Sequence, residues 1–196
     1  MEYNITEAQA AQYNLRYQRG LQLVRPNILI DGEPQSGRPG WLARRRLQRG
    51  IEEFKAALDI APFKWECRFW IGKALQRLGL FQESMGWFAE ALGQEPANPT
   101  IAKEAANVAL ELGQFQAGIA FLRPAVADKP SDPDLHYNLG IHLLLAGRAQ
   151  DAYRSLQQSA RLRAHRDTAR LMTYAEVVIS GRRTAPRTLK HLQQDA

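Results

Sequence analysis

At 196 residues, 45% hydrophobic and 23% charged, the chain has the balance of a soluble globular protein of one domain or slightly more, large enough to bury a core without disulfide or metal staples. A single cysteine, Cys67, excludes an internal disulfide framework and a multi-cysteine zinc site; no apolar run approaches the ~18 residues of a membrane span; and Met1-Glu2-Tyr3-Asn4 lacks the basic and apolar regions of a secretory leader, so a cytoplasmic protein is expected. The formal charge of +6 is uneven, with +3 on residues 1–64, −3 on 65–134 and +6 on 135–196, so the basic excess sits at the ends, either as solvated arginine-rich helix faces or as surfaces that steer an acidic partner.

Residues 6–24 predict a helix. Thr6 is a good N-cap, Glu7 lies in the first turn, and Ala10, Tyr13, Tyr17 and Leu21 recur on one face. Residues 25–40 contain Pro26, Pro34 and Pro39 with Gly32, Gly37 and Gly40, which forbids a continuous helix. Connections this long are usually functional or disordered, and Ile28-Leu29-Ile30 is expected to pack on a neighbouring helix. Residues 41–61 predict the second helix of an irregular leading unit.

From residue 65 the chain repeats with a period of 34: Trp65, Pro99 and Pro133 align, then Gly79, Gly113 and Gly147. Phe81, Phe115 and Ala149 follow two residues after each glycine. Small residues match at Gly72, Ala106 and Gly140, and again at Ser84, Gly118 and Ala152. Large apolar residues match at Phe88, Leu122 and Leu156, and small ones return at Ala91, Ala125 and Ser159. Each unit is a helical hairpin around a glycine turn, and Pro96 and Pro130 close the first two units. Glycine inside a helix costs about 1 kcal/mol, so Gly72 and Gly140 predict a close approach by the second helix, with the small residue at 84, 118 or 152 as the other half of the contact. Pro124 is expected to kink or shorten its helix. Asp167–Ser180 predicts a capping helix that packs through Ala169, Met172, Tyr174, Val177 and Val178 and ends at Gly181; residues 187–196 predict a short helix or a frayed tail.

These offsets resemble the tetratricopeptide repeat. The resemblance covers 65–98, 99–132 and 133–166 as three units, with residues 1–64 as an irregular leading unit and 167–196 as a cap and basic tail. It extends weakly to 41–64, where Gly50, Phe54, Ala57 and Pro62 fit a second helix. It implies an all-α, right-handed superhelical array of hairpins that acts as a non-enzymatic protein-interaction scaffold. The chain departs from the family where a bulky aromatic is expected early in the first helix, at Arg68, Ala102 and His136.

No catalytic or cofactor constellation is legible. His136, His142, His165 and His191 show no metal-ligand spacing, Glu52 and Glu53 diverge by about 100° on a helix, and no phosphate loop or nucleophile elbow occurs. No cofactor and no metal are expected. The resemblance instead implies a concave groove lined by the first helices: Phe69, Lys73 and Gln76, then Lys103, Asn107 and Leu110, then Tyr137, Asn138 and Ile141, with Trp70 and Leu144 shared between groove and core. Lys103, Asn107 and Asn138 also have the spacing of the carboxylate clamp of some tetratricopeptide co-chaperones. The last two clamp positions fall on Thr168 and Met172, so Arg166 and Arg170 would have to complete it. Two other readings stand beside the adaptor. One is a chaperone for secreted bacterial effectors, dimerising through residues 6–24. The other is nucleic-acid binding through Arg44, Arg45, Arg46 and Arg49 with Arg161, Arg163, Arg166 and Arg170, against which stands the lack of interleaved aromatics.

Overall fold

The computed structural model describes residues 5–30, 33–34, 37–188 and 192. Among these the chain forms nine α-helices: α1 (Glu7–Val24), α2 (Trp41–Ile60), α3 (Trp65–Leu78), α4 (Phe81–Gln94), α5 (Pro99–Glu111), α6 (Phe115–Asp128), α7 (Pro133–Leu145), α8 (Ala149–Leu162) and α9 (Arg166–Ile179). They belong to two compact units, Met1–Glu95 with α1–α4 and Pro96–Ala196 with α5–α9. Within each unit consecutive helices pack as hairpins, and the first helices also touch: α1 on α3 in one unit, α5 on α7 and α7 on α9 in the other. The fold is all-α apart from a two-residue antiparallel ladder that pairs Leu29 with Pro34 and Ile30 with Glu33.

The hairpins begin and end as their local sequence dictates. Asn98 and Asp132 each accept two backbone N–H bonds at the starts of α5 and α7, ahead of Pro99 and Pro133. Gly79, Gly113 and Gly147 adopt φ of 80°, 68° and 75°, a left-handed turn that a Cβ would strain. The residue after each glycine then donates back into the finished helix, as Leu80 N–H does to the Leu75 carbonyl at 2.9 Å.

Gly72 and Gly140 are close-approach sites, but large side chains fill them. A Cβ at Gly72 would lie 2.7 Å from the Phe88 ring, and one at Gly140 would lie 2.6 Å from Leu156. The small residue at 84 has a different part: the Ser84 hydroxyl donates to the Gly72 carbonyl at 2.8 Å. Gly118 departs from the expectation altogether, because it receives His142 of α7 rather than a neighbour on α5. The leading hairpin makes the same contact. A Cβ at Gly20 would lie 2.7 Å from Phe54, across a connection eighteen residues longer than that between Gly72 and Phe88.

Helix α6 runs unshortened through Pro124. Ala120 and Pro124 both lie on its exposed face, where water can satisfy the carbonyl left without an amide partner. On α9, Tyr174 is buried and Met172, Val177 and Val178 are half-buried, as expected, whereas Ala169 is exposed, and Thr168, Leu171 and Ala175 complete the buried stripe. At the family's early aromatic position, Arg68 Nη1 donates to the Pro62 carbonyl at 2.7 Å, and His136 Nε2 bonds the Pro130 carbonyl at 2.8 Å. Both reach the proline six residues back, so a polar staple to the preceding turn replaces an apolar wedge. Ala102 has no group that could do this.

The described residues of 25–40 are tied to their own unit at Asn27 and Gly37. Arg25–Asn27 forms a single 3-10 turn, Ile28 is buried, and Arg77 of α3 donates to the Asn27 carbonyl at 3.0 Å and to the Gly37 carbonyl at 2.7 Å. The side chains of Leu29 and Ile30 lie outside what the structure describes, as does most of 187–196. On α1, Tyr13 is buried and Ala10, Tyr17 and Leu21 are half-buried, so the expected apolar face packs within the unit. Leu15 is the large apolar side chain of α1 that stays exposed.

Candidate partner-binding face

The expected groove residues divide between the two units, with the α3 set in the first and the α5 and α7 sets in the second. On α3, Phe69 is half-buried in an aromatic group. Its ring centroid lies 5.5 Å from Trp70, 5.9 Å from Phe88 and 6.4 Å from Trp65. Trp70 is half-buried and packs against the core of the first unit, with the Arg25 guanidinium 5.9 Å from its ring centre. Lys73 and Gln76 are half-buried on the same helix.

In the second unit, α5, α7 and α9 form one layer. Asn107 is exposed there and Leu110 and Tyr137 are half-buried. Ile141 is 8% exposed and Leu144 fully buried, so these two belong to the core rather than to a lining. Lys103 lies 3.7 Å from the Asp132 carboxylate. Asn138 donates through Nδ2 to the Asp134 carbonyl at 2.8 Å, and Arg163 pairs with the Asp134 carboxylate. Burial pushes the Tyr137 phenol up, Asp167 adds to the rise, and Arg170 opposes it. The layer thus offers amide, aromatic and aliphatic groups with its charges largely balanced. That composition suits the alternating donors and acceptors of a peptide.

The positions expected for a carboxylate clamp carry mixed chemistry. Lys103 already has an acid beside it, Thr168 is buried, and Met172 supplies no cation. Arg166 and Arg170 are exposed on α9. The nucleic-acid reading divides as the groove does, with Arg44, Arg45, Arg46 and Arg49 exposed in the first unit and Arg161, Arg163, Arg166 and Arg170 exposed in the second. One statement about these arginines is corrected. An aromatic does stand among them, because the Arg45 guanidinium lies 5.8 Å from the ring centre of Trp41. Its signal in the sequence is the four-residue spacing from Trp41 to Arg45.

The buried polar groups belong to the core. Cys67 is fully buried, its thiol donates to the Tyr13 hydroxyl at 3.7 Å, and burial pushes it up to about 11, the profile of an inert thiol. His142 is fully buried with no hydrogen-bond partner on either ring nitrogen, and burial lowers it to about 4. Backbone groups of Phe115 and Ala106 oppose that shift without reaching hydrogen-bond geometry. Among the described residues no cluster of His, Cys, Asp and Glu could hold a metal ion, and no helix is long and apolar enough to cross a membrane.

Comparison with known proteins agrees with this architecture. The family model for the tetratricopeptide repeat matches residues 42–99 and 103–167. No curated protein matches the sequence. Among solved structures the chain is similar to residues 41-end of MamA from Desulfovibrio magneticus RS-1, at 17% identity and a TM-score of 0.66, covering 97% of this chain and 96% of that one. It is similar also to a MamA RS-1 double mutant, at 16% identity and a TM-score of 0.68 over 93% of each chain. A further MamA crystal structure gives 13% identity and a TM-score of 0.67 over 85% of this chain and 84% of that one. At such identities the likeness is one of fold. The chain belongs to the tetratricopeptide repeat family, whose members are in general non-enzymatic protein-interaction scaffolds.

Proposed function

We propose that this chain is a non-enzymatic cytoplasmic adaptor, and that the layer of α5, α7 and α9 takes an extended peptide or a short helix of a partner protein. The supporting observation is the contiguity of α5 with α7 and of α7 with α9, which sets Lys103, Asn107, Leu110, Tyr137 and Asn138 on neighbouring helices of one unit. Asn107 is the contact point, since its exposed amide can both donate to and accept from a peptide backbone. Tyr137 is the anchor, a half-buried ring with a polar tip. Phe69, Lys73 and Gln76 give the first unit a surface of the same kind.

The test is capture of partners from nuclease-treated lysate of the source cell, followed by titration of the retained protein against variants. Lys103→Glu and Asn107→Arg are each expected to weaken binding about tenfold or more, with an unchanged circular dichroism spectrum. Unchanged affinity in both variants would remove this face from the assignment. Asn107→Arg keeps the test valid if Lys103→Glu, set against Asp132, disturbs the local fold.

A further inference from the structure

The first unit carries a surface that the adaptor reading does not use. Six large apolar side chains are exposed among the described residues, and the two most exposed are neighbours: Trp41 at 69% and Leu42 at 61%. They open α2, whose buried residues are Leu47, Gly50, Ile51, Phe54 and Ala57. At 100° per residue, Trp41, Leu42, Arg45 and Arg49 fall on the arc opposite that buried stripe. Arg38, Arg44 and Arg46 are exposed around them. From Pro34 to Ile51 the chain has five arginines and no acidic residue. Farther along α2 the acids return: Glu52 lies 3.7 Å from Lys55, Glu53 lies 3.0 Å from Arg16, and Asp59 is exposed in the last turn. The cationic field is therefore confined to the first turns, where the two apolar side chains project.

We propose that this end of α2 docks peripherally on an anionic lipid surface. The chemistry is complementary in two ways. Arginines attract a negatively charged headgroup layer, while an exposed indole and an adjacent leucine enter the boundary between headgroups and acyl chains, where tryptophan is favoured. A single-stranded nucleic acid also carries negative charge, but it would stack bases on the ring, and the Arg45 guanidinium already covers one face of Trp41. Leu42 gives a base nothing to bond and gives an acyl chain a contact. The docking leaves the fold intact, because no buried residue of α2 has to turn outward.

The experiment uses the full chain, freed of nucleic acid, with vesicles of phosphatidylcholine alone and of phosphatidylcholine mixed with phosphatidylserine. Flotation is expected with the phosphatidylserine vesicles only, and it should weaken steeply with added salt. Arg45→Gln, Arg46→Gln and Arg49→Gln together are expected to lower affinity on the order of a hundredfold. Brominated acyl chains are expected to quench tryptophan emission, and Trp41→Phe should abolish that quenching while Trp65, Trp70 and Trp87 remain. All substituted side chains are exposed, so melting curves should not move. The proposal is overturned by failure to float with anionic vesicles at low salt, by binding that the triple variant keeps, or by quenching that survives Trp41→Phe. Retention of single-stranded RNA without vesicle binding would overturn it too, and would assign the arginines to nucleic acid.

Discussion

The two units solve one packing problem with different materials. In the first, rings meet Gly20 and Gly72 and one another, while Val24 meets Gly50: Phe54 on Gly20, Phe88 on Gly72, Tyr17 against Phe54 at 5.7 Å, and Tyr13 stacked on Tyr17 at 5.8 Å. In the second, a branched aliphatic does this at Gly140, where Leu156 lies, and Leu122, Leu135 and Leu144 fill the interior, while the His142 ring meets Gly118. The hairpin contact therefore asks for volume over a glycine rather than for a particular shape. The difference carries a consequence, because the aliphatic unit also encloses His142, the fully buried histidine among the described residues. An imidazole with no partner is tolerable only while neutral.

The largest expected effect tests the ring contacts. Phe88→Ala should destabilise the first unit by about 3–5 kcal/mol, and Leu156→Ala the second by about 2–5 kcal/mol, read from urea midpoints. If Phe88→Ala costs no more than a surface substitution, the glycine contact does not hold the hairpin and the parallel between the units fails.

The next effect sharpens the difference. Because the folded pKa of His142 is lowered to about 4, the folded state binds fewer protons than the unfolded chain. Its contribution is fully present above the unfolded value near 6.5 and is lost as pH falls toward 4, for a total of about 3 kcal/mol. The second unit should lose stability across that window beyond what the first unit loses, and His142→Leu should flatten the excess. An unchanged pH slope in His142→Leu would place the acid sensitivity elsewhere.

The smallest effect concerns the connection between α1 and α2. Arg77→Ala removes two hydrogen bonds to the carbonyls of Asn27 and Gly37. Lengthening a loop costs little closure entropy, so global stability should fall by about 1 kcal/mol or less. Amide exchange over 25–40 should rise while that of α3 does not. Exchange rising equally in α3 would make Arg77 a core residue rather than a staple.

Much of this architecture was legible in the residues because its signals are local. The glycine turns, the Asn98 and Asp132 caps and the matched positions each act on backbone within a few residues, so a 34-residue period reveals them together. The leading hairpin was harder to read. Its Gly20–Phe54 contact obeys the same rule, but the inserted connection breaks the period and hides the match. The candidate face was only partly legible. The offsets that carry Tyr137 and Asn107 do not say that Asn138 is bonded to the Asp134 carbonyl or that Lys103 sits by Asp132. Trp70 and Ile141 share a helix register with half-buried positions, and only their neighbours decide how far each is covered.

Periodicity and capping, then, fixed where helices start, stop and turn, since those depend on φ, ψ and the first and last unpaired backbone groups. Tertiary structure decided which side chains lose water. That choice buried His142 against Gly118, drew Arg77 to two distant carbonyls, and left Trp41 and Leu42 outside among arginines. Desolvation depends on atoms supplied from elsewhere in the chain, and no local pattern contains them.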